Sequence, residues 1–476
     1  MEMTKLSELF SLLHIPCDDD RIIQGISDHT NDIEKDWLFV CRKGFQQDGT
    51  KFIQEALDKG AVILCEESNF VKKHVYYTKH IERICQALLE LYYGNLCEHL
   101  KVIGITGTNG KTSVADFLVQ LLQMQDCKVL RIGTGKIYFP NECILIENTT
   151  PGSFQLANYF RRAIKENISY VVMEVSSHAI DQNRINFLRF DQIIYTNITQ
   201  DHLDYHITQV HYRFTKYKLR RYVKEKGIIL YNNDIAYMQE LRYLVKDNCI
   251  GIGKDAEIKI YDICLSDRDL SFFLQGHKVS APLLGKVNVY NLAQAIVSAH
   301  YLGYSYEDLC RDCKTIQSVS GRMEIIQTKD FVIWVDYAHT ASAVKELLMF
   351  ANMVCKGRVI IVLGCGGERD RNKRPIMAEI AAEYSHYAVF TSDNPRGESI
   401  SAILDDMLVK HYAHTMIFEN RYFAIKHTIK VAQKNDIIII AGKGDEDTMT
   451  VFNKKYPFSD KIVVMECLAK EELLWK

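Results

Sequence analysis

The sequence predicts an α/β fold built on mainly parallel sheets. Short apolar runs rich in Val and Ile recur along the chain, among them KVIGIT, YVVMEV, RVIIVLG and DIIIIAG, and helix-like segments separate them. Runs that are apolar on both faces are typical of parallel strands covered by helices on both sides. The chain has 476 residues, of which 47% are hydrophobic and 25% charged, so it is long enough for several such cores.

Changes in this pattern predict three domains. Residues 1–98 carry short strand-like runs, WLFVC and AVILCEE, and are expected to form a small α/β domain. Residues 99–321 alternate strands and helices around KVIGIT, YVVMEV and QIIYTNI, which indicates a central domain with a mostly parallel sheet. Residues 322–476 repeat the alternation with FVIWVDY, RVIIVLG, YAVFTS and DIIIIAG, and this predicts a Rossmann-like, doubly wound domain.

Composition and charge narrow the classes of partner. A net charge of −2 gives no support for a nucleic-acid or membrane-surface partner. The first residues lack the basic region and long apolar core of a signal peptide, and no apolar stretch approaches the ~18 residues that span a bilayer. We therefore expect a cytoplasmic protein that acts on small molecules, as a monomer.

A glycine turn between a strand and a helix predicts a phosphate-binding loop. The segment KVIGITGTNGKTSVADFLVQLLQ places small residues where backbone N–H groups must approach phosphate oxygens. Lys111 can reach the outer phosphates, and the hydroxyl of Thr112 can reach a magnesium ion. The strict pattern requires a glycine where Ile105 stands, so only the shorter G-x-x-G-K-T pattern fits. The residues predicted to bind ATP here are Gly107, Thr108, Asn109, Gly110, Lys111 and Thr112.

With this turn the chain begins to resemble the Mur ligases, ATP-dependent ligases that build the peptide of bacterial cell-wall precursors. Further segments follow in the order and spacing of the tripeptide-forming members: ENTTP, MEVSSHAIDQNRI, TNITQDHLDYH, GKVNVYNLAQA, GRMEII, VDYAHT, LGCGGERDRNKRP, DNPRGES and AGKGDED. The resemblance covers nearly the whole chain. It implies that the first domain binds a nucleotide sugar, the central domain ATP, and the last domain an amino acid.

Three residues of the central domain are expected at a magnesium site. Glu174 ends the strand YVVME and His202 follows the strand QIIYTNI, and both strand ends should open onto the side that carries the phosphate loop. A carboxylate and an imidazole there can bind Mg²⁺, as the resemblance also implies. Lys216 occupies the position at which the family carries a lysine carbamylated by CO₂. A carbamate is an anion that can bridge magnesium, whereas an ammonium group would be repelled.

The resemblance also implies contacts to the other substrates. The residues matching positions that hold the nucleotide-linked muramoyl peptide are Thr30, Thr149, Thr150, Ser176, Gln182 and Arg184. Asn291 resembles an adenine contact and Asp336 a ribose contact. Arg322 lies where the family has a basic residue at the junction with the last domain, and a cation there can meet the transferred phosphate when domains close. We expect Lys111, Lys216 and Arg322 to be catalytic.

Three loops are expected to form the amino-acid site at one edge of the last sheet. LGCGGERD follows the strand RVIIV, SDNPRGE follows YAVFT, and GKGDED follows DIIIIA, and strand ends of this kind share one edge of an open parallel sheet. Two cations, an amide and an anion on that edge suit a zwitterion. The residues predicted to bind the amino acid are Arg369, Asp393, Asn394, Pro395, Arg396, Gly442 and Glu446.

The identity of the amino acid follows from the same charges. The distal carboxylate of meso-diaminopimelate would pair with Arg396 or Arg369 and its ammonium group with Glu446, whereas L-lysine would leave a guanidinium group unpaired. The motif Asp-Asn-Pro-Arg marks the diaminopimelate-adding members of the family. The expected reaction joins meso-diaminopimelate to UDP-N-acetylmuramoyl-L-alanyl-D-glutamate through an acyl phosphate.

Departures from the family pattern leave alternatives open. Asn31 stands where the family commonly has arginine, and Asp445 stands where it usually has histidine, so substrate recognition can differ. A paralogue that uses L-lysine, or a different carboxylate as folylpolyglutamate synthetases do, is the first alternative. A non-catalytic ATP-binding regulatory protein is the second. The intact set of Lys111, Thr112, Glu174, His202 and Lys216 argues against the second.

Overall fold

The computed structural model describes residues 4–42, 48–67, 72–199, 203–245, 248–452 and 454–471. The chain divides into two compact units, residues 1–258 with 297–301 and residues 259–296 with 302–476. The three predicted domain limits stay a prediction. Within the described ranges, no helix is both long enough and apolar enough to cross a membrane.

The first unit begins with a small parallel sheet. Its four strands lie in chain order and are parallel to one another. They are β1 (Ile26–Ser27), β2 (Leu38–Cys41), β3 (Val62–Cys65) and β4 (Val75–Tyr77), with helices α1 (Leu6–Leu12), α2 (Ile53–Asp58) and α3 (Ile81–Leu88). The predicted strands WLFVC and AVILCEE are therefore confirmed as β2 and β3.

The larger sheet of the first unit carries the phosphate loop. The order of its strands is β12-β11-β10-β5-β9-β6-β7-β8, and the strands from β12 to β6 are parallel. The strands are β5 (Lys101–Thr106), β6 (Val129–Gly133), β7 (Lys136–Phe139), β8 (Glu142–Leu145), β9 (Tyr170–Glu174), β10 (Phe190–Tyr195), β11 (Val223–Asn232) and β12 (Cys249–Gly253). The helices are α4 (Lys111–Met124), α5 (Ser153–Lys165), α6 (Ser177–Asp181), α7 (Leu203–His206), α8 (Gln209–Lys218) and α9 (Glu240–Leu244).

This strand order places the predicted site residues side by side. The three strands predicted from KVIGIT, YVVMEV and QIIYTNI are the neighbours β5, β9 and β10, so their carboxyl ends lie together. Helix α4 packs on the sheet through the apolar stripe of Val114, Phe117, Leu118, Leu121 and Leu122, all of which are buried. The helix therefore has a fixed position, and its first residue is Lys111.

The second unit begins with an antiparallel meander and two helices. The meander consists of β13 (Ile258–Leu265), β14 (Leu270–Leu274) and β15 (His277–Ala281), followed by α10 (Lys286–Tyr301) and α11 (Tyr306–Asp312). Helix α10 is divided between the units: its residues up to 296 belong to the second unit and residues 297–301 to the first.

A six-stranded sheet forms the rest of the second unit. Its order is β16-β17-β21-β18-β19-β20, and only the β16–β17 pair is antiparallel. The strands are β16 (Glu324–Gln327), β17 (Val332–Asp336), β18 (Val359–Cys365), β19 (Tyr387–Ser392), β20 (Thr415–Phe418) and β21 (Ile437–Ala441), and a separate hairpin contains β22 (Thr448–Val451) and β23 (Lys454–Pro457). The helices are α12 (Ala341–Val354), α13 (Lys373–Tyr384), α14 (Ile400–Met407), α15 (Arg421–Val431) and α16 (Asp460–Lys470).

Helices cover both faces of this sheet, as the sequence predicted. Alternate residues of one strand belong to different cores: Ile361 packs with residues of α12, α13 and α14, whereas Ile360 and Val362 pack with residues of α15 and α16. Because a strand buried on both faces has no polar side, its sequence is a continuous apolar run. The expected doubly wound α/β architecture is confirmed.

Candidate active site

The phosphate loop has the geometry that a bound phosphate requires. Gly107 follows β5, and a Cβ atom added there would lie 1.9 Å from Oγ1 of Thr196, so only glycine fits. Gly110 caps α4 with a φ of 83°, in the left-handed region that glycine adopts without strain. No side chain caps the first turn of α4. The loop therefore leads into a helix N-terminus whose N–H groups point towards an incoming anion.

Two lysines of the first unit converge on one backbone oxygen of this loop. Nζ of Lys111 donates to the carbonyl oxygens of Gly107 (3.0 Å) and Thr108 (2.8 Å). Nζ of Lys216, on α8, donates to the same oxygen of Gly107 at 2.8 Å, and Lys216 is only 2% exposed. Both lysines are predicted catalytic residues. Two ammonium groups on one oxygen repel each other, so a bound anion at this point relieves their repulsion.

A buried carboxylate faces the loop. Glu174 ends β9 and is fully buried, and its Oε2 accepts hydrogen bonds from the hydroxyls of Thr112 (3.1 Å) and Thr134 (3.2 Å). Its Oε1 accepts from the backbone N–H of Thr134 at 3.2 Å. Among the residues that the structure describes, no cation pairs with Glu174 at salt-bridge distance. A buried carboxylate without a cationic side chain, next to the phosphate-loop hydroxyl, fits a divalent cation.

The second predicted magnesium ligand cannot be placed. His202 lies outside the described residues. The described ranges contain no group of three or more His, Cys, Asp or Glu side chains that could hold a metal ion. The set predicted for magnesium is therefore represented here by Thr112, Glu174 and Lys216.

The residues predicted for the muramoyl peptide form one hydrogen-bonded group. Arg184 donates from Nη1 to the carbonyl oxygen of Thr150 (2.8 Å) and from Nε to Oε1 of Gln182 (3.0 Å). The hydroxyl of Thr150 accepts from the backbone N–H of Ser176 (3.1 Å). Thr149 lies 3.2 Å from the hydroxyl of Thr134, which itself contacts Glu174. The predicted peptide site and the predicted metal site are thus linked within the first unit.

Thr30 lies apart from this group, after β1. It begins a single 3-10 turn and is 8% exposed, and its carbonyl oxygen accepts a hydrogen bond from Nζ of Lys59 at 2.8 Å. Its neighbour Asn31 is exposed. Both residues occupy the carboxyl edge of the small parallel sheet, which is the edge where ligands of such sheets bind.

Three predicted ATP residues belong to the second unit. Asn291, on α10, is 4% exposed and donates to Oδ1 of Asn288 at 3.1 Å. The carboxylate of Asp336 accepts from the backbone N–H groups of Met323 (2.7 Å) and Ala338 (2.8 Å), and burial raises its pKa in spite of these bonds. The guanidinium group of Arg322 lies 4.6 Å from the ring centroid of Tyr337. Their contacts to ATP stay predictions.

The carboxyl edge of the second unit's sheet holds a buried network around Asn394. The side-chain N–H groups of Asn394 donate to Oδ1 of Asp393 (3.0 Å) and Oε2 of Glu446 (2.7 Å). Its Oδ1 accepts from Nζ of Lys443 (3.3 Å) and from the backbone N–H of Thr450 (2.8 Å). All four hydrogen-bonding positions of this amide are used inside the protein. Asn394 therefore orders the edge in addition to any contact with a ligand.

Lys443 is the cation of that network, and its side chain is fully buried. Its Nζ donates to Oε2 of Glu446 and to the carbonyl oxygen of Thr448, both at 2.8 Å. Glu446, predicted to receive an ammonium group, therefore already has a partner on Oε2. Gly442 packs closely on the same edge. A Cβ atom there would lie 2.7 Å from Oδ2 of Asp393, so the position favours glycine.

Two arginines border Gly366 on the same edge. A Cβ atom added at Gly366 would lie 2.9 Å from Nη1 of Arg396 and 3.7 Å from Cγ of Arg369. Arg396 follows the buried Pro395 and donates from Nη1 to the carbonyl oxygen of Gly367 at 2.7 Å. Its backbone has a φ of 50°, a strained conformation for arginine. Two backbone hydrogen bonds hold it there: its N–H donates to the carbonyl oxygen of Thr450 (3.0 Å), and its carbonyl oxygen accepts from the N–H of Phe452 (2.6 Å). The structure thus places the side chains of Arg369 and Arg396 next to the same glycine.

The sequence reasoning missed Lys443, Thr134 and Arg374. Arg374 is fully buried and binds Glu398 (2.8 Å), Asp406 (2.7 Å) and the carbonyl oxygen of Gly366 (3.1 Å). It therefore supports the loop on which Arg369 lies. Lys443 lies in the motif GKGDED, from which only Gly442 and Glu446 were predicted as site residues. A lysine between two glycines of a strand-end loop is the signal that could have identified it. No signal in the sequence distinguishes Thr134 or Arg374.

Fold and site together define a class of protein. A phosphate loop with a buried carboxylate beside it, on a parallel sheet, is typical of enzymes that transfer the phosphoryl group of a nucleotide. The second unit is doubly wound, and the predicted Arg369 and Arg396 lie at the carboxyl edge of its sheet, where sheets of this kind bind ligands.

Comparisons with known proteins identify the family. The model of the "Mur ligase middle domain" matches residues 105–299, and that of the "Mur ligase, glutamate ligase domain" matches residues 321–444. A UDP-N-acetylmuramoyl-L-alanyl-D-glutamate--2,6-diaminopimelate ligase of Bacillus cereus is 34% identical over 98% of both chains, and one of Fusobacterium nucleatum is 36% identical over 96% of both. The solved structure of a ligase of that name is 26% identical, with a TM-score of 0.72 over 99% of this chain and 100% of its own. The chain belongs to the Mur ligase family.

Proposed function

We propose that this protein is the ATP-dependent ligase that adds meso-diaminopimelate to UDP-N-acetylmuramoyl-L-alanyl-D-glutamate. The observation that carries the proposal is the similarity to ligases with this activity in their names, which extends over 96–98% of the chain at 34–36% identity. It acts on small molecules, as a cytoplasmic monomer, in line with its composition. The product serves peptidoglycan precursor synthesis.

The reaction has two steps. The terminal phosphoryl group of ATP passes to a carboxylate of the glutamyl residue, which releases ADP and gives an acyl phosphate. The amine of diaminopimelate then attacks the acyl carbon, and the tetrahedral intermediate loses inorganic phosphate to leave the amide. Lys111 and the N–H groups at the start of α4 bind the phosphates of ATP, and Arg322 stabilises the phosphoryl group during transfer. Asn291 and Asp336 orient the adenosine.

The residues around Glu174 fit a magnesium ion. Glu174 and Thr112 would hold Mg²⁺, with His202 as a further ligand, and the ion supplies positive charge that neutralises the phosphate oxygens. Lys216 takes part as its carbamate. Its burial beside Lys111, on the shared carbonyl oxygen of Gly107, supports this assignment, because carbamylation replaces a repulsive cation with an anion.

The nucleotide-linked substrate binds in the first unit. Thr149, Thr150 and Ser176 offer hydroxyl groups to the peptide, and Gln182 and Arg184 offer donors to its carboxylates. Thr30 contacts the nucleotide-sugar end. The support for this group is its continuity through Thr134 with Glu174, because the carboxylate to be phosphorylated must reach the phosphates of ATP.

The charges on the second unit's sheet edge favour diaminopimelate. Arg369 and Arg396 bind its distal carboxylate, and Glu446 binds its ammonium group through Oε1, since Oε2 is held by Lys443 and Asn394. Asp393, Pro395 and Gly442 shape the pocket. L-Lysine lacks the distal carboxylate and leaves these guanidinium groups without an anion, which costs a few kcal/mol.

The test is a coupled phosphate-release assay with an amino-acid panel, together with mass analysis of the product. Phosphate release is expected to require ATP, UDP-N-acetylmuramoyl-L-alanyl-D-glutamate and meso-diaminopimelate, and the product mass should be that of the tripeptide. Lys111→Ala is the control: it should lose turnover while its thermal unfolding midpoint stays within a few degrees of wild type. Phosphate release that is independent of the muramoyl dipeptide would refute the proposal.

A further inference from the structure

Arg42 is a partly buried arginine to which the sequence analysis assigned no role. It directly follows β2, which lies between β1 and β3 in the small parallel sheet. Leu38 and Val40 of β2 belong to the large core of the first unit, and alternation along the strand places Arg42 on their side of the sheet. The carboxyl edge of parallel strands is where such sheets bind ligands.

A carboxylate from the neighbouring strand holds Arg42. Nη2 of Arg42 makes a short ion pair with Oδ2 of Asp28, which follows β1, and Nη1 lies 3.4 Å from Oε2 of Glu82. The side chain of Arg42 is 27% exposed, whereas that of Glu82 is 72% exposed, so Asp28 is the main internal partner. The Arg42 side chain is thus partly exposed at the edge of the sheet.

The same carboxylate connects Arg42 with the predicted peptide site. A Cβ atom added at Gly152 would lie 3.7 Å from Oδ1 of Asp28, so Asp28 borders the segment that begins at Thr150. Arg184 donates to the carbonyl oxygen of Thr150. Burial first, and then the positive charge of Arg42, lower the pKa of Arg184.

The carboxylate of Asp28 thus pairs with Arg42 and borders the segment whose Thr150 carbonyl oxygen accepts from Arg184. The positive charges of Arg42 and Arg184 repel each other, and the carboxylate of Asp28 offsets part of this repulsion. An oxyanion bound between them replaces that repulsion with two charge-assisted interactions, for which the planar guanidinium fork is well suited. Asn31 stands on this edge where the family commonly has an arginine. Arg42 supplies a cation on the same edge.

We propose that Arg42, together with Arg184, binds an oxyanion of the UDP-linked substrate. The diphosphate and the peptide carboxylates carry the same chemistry, and the experiment below distinguishes them. This inference rests on the proposed function, because it deepens the recognition of the substrate named there. It makes Arg42 a binding residue at the carboxyl end of β2.

The experiment compares Arg42→Ala with wild type and with a matched control. Arg21→Ala removes an arginine from the same sheet, where Arg21 pairs with Asp19 (2.8 Å) and with Asp36 (3.4 Å). Asp36 precedes β2, so this arginine lies at the amino edge, away from the site. Arg42→Ala should raise the KM of the UDP-linked dipeptide about tenfold or more. Its kcat and its KM for the amino acid should stay within about twofold, and Arg21→Ala should leave all three unchanged.

A competitive inhibitor separates the two sources of the oxyanion. UDP-N-acetylglucosamine carries the diphosphate but no carboxylate. If Arg42 binds the diphosphate, Arg42→Ala weakens inhibition by this compound as much as it raises the KM of the substrate. If Arg42 binds a peptide carboxylate, the inhibition constant stays unchanged while the KM rises. Either result supports the role of Arg42 as a binding residue.

Two results overturn the inference. The first is an unchanged KM in a folded Arg42→Ala protein, and the second is an equal rise in Arg21→Ala. Arg42→Gln keeps a donor for Asp28 and replaces the alanine variant if that variant unfolds. Calorimetric binding of the UDP-linked dipeptide to wild type and Arg42→Ala needs no turnover. An enzyme that binds this ligand but does not ligate it would therefore refute the proposed function while still testing Arg42.

Discussion

At the scale of single residues, buried lysines organise both parts of the site. Lys216 is 2% exposed and Lys443 is fully buried, and a buried ammonium group is costly unless every donor has an acceptor. Lys443 has three acceptors, one of which is a carboxylate. Lys216 donates to an oxygen that Lys111 already uses. The two lysines therefore differ in surroundings: Lys443 holds Asn394 and Glu446 in place, and Lys216 lies at the predicted phosphate loop.

Loss of Lys216 should impair the chemical step. We expect Lys216→Ala to lose ~3 kcal/mol of transition-state stabilisation, about a hundredfold in kcat or more, because a preorganised charge near the phosphates is removed. A short carboxylate in solution should restore part of the rate by replacing the carbamate. Lys218→Ala is the matched control, since Lys218 lies on the same helix but pairs with Asp181 at 3.5 Å on the surface. Full activity in Lys216→Ala would exclude the carbamate.

Loss of Lys443 should act on amino-acid binding through its neighbours. Lys443→Met removes the donor that holds Glu446 and Asn394, so the KM of the amino acid should rise about 10- to 100-fold, while the KM of the UDP-linked dipeptide stays within about twofold. Lys443→Arg, which keeps the charge, should recover part of the loss. Lys461→Met removes a half-exposed lysine that pairs with Glu324 and serves as the control. Equal changes in both KM values would indicate a general loss of structure instead.

At the scale of elements, an ion-pair network fixes the loops at the edge of the second unit's sheet. Arg374, on α13, connects the carbonyl oxygen of Gly366 with Glu398 and Asp406. The backbone N–H of Gly367 donates to the carbonyl oxygen of Asn394 at 2.9 Å. The loops after β18 and β19 are therefore joined directly by this hydrogen bond as well as through Arg374. These contacts hold Arg369 and Arg396 near each other.

The network predicts a dependence of stability on pH. The hydrogen bond from Arg374, followed by that from the N–H of Glu368, lowers the pKa of Glu398 to about 2 from an ordinary value of 4.5. Because the pKa is lower in the folded state, Glu398 stabilises the fold fully above about pH 4.5 and loses this contribution as the pH falls towards 2. Glu398→Gln should therefore lower the unfolding midpoint at pH 7, by an amount that shrinks below pH 4.5.

The measurement is thermal unfolding of both proteins between pH 7 and pH 3. Glu379→Gln is the control, because Glu379 pairs with Lys410 on an exposed surface, where an ion pair contributes little. If Glu398→Gln and Glu379→Gln show the same pH profile, Glu398 has no special role in holding these loops.

How far the sequence predicts the site depends on the kind of contact. Strand ends and glycine turns are local features, and they located Gly107, Glu174 and Arg396 on the correct edges. Lys216 could be placed only through the resemblance, since a lysine on a helix is otherwise expected at the surface. Lys443 pairs with Glu446 of its own loop and had a local signal, whereas Arg42 and Arg374 were missed because their partners lie on other parts of the chain. Such contacts depend on strand order, which no local pattern specifies.

At the scale of the whole molecule, both units contribute to one reaction. The first unit contains the phosphate loop, Glu174 and Lys216, and the second contains Arg322, Asp336 and the paired arginines. The family models match both units, and the relatives align along nearly the entire chain. In the proposed function the residues for ATP come from both units and those for the amino acid from the second unit only, so a variant of Arg369 or Arg396 can change amino-acid choice and leave the phosphate loop intact.

The choice between diaminopimelate and lysine tests the account most directly. The measurement is kcat/KM for meso-diaminopimelate and for L-lysine, with UDP-N-acetylmuramoyl-L-alanyl-D-glutamate saturating, in wild type and in Arg396→Ala. We predict a preference of at least about a hundredfold for meso-diaminopimelate in wild type, because only this substrate supplies a carboxylate for Arg369 and Arg396. Arg396→Ala should erode the preference mainly by weakening the use of diaminopimelate. A wild-type enzyme that prefers L-lysine would contradict the assignment of the amino acid and leave the ligase chemistry standing.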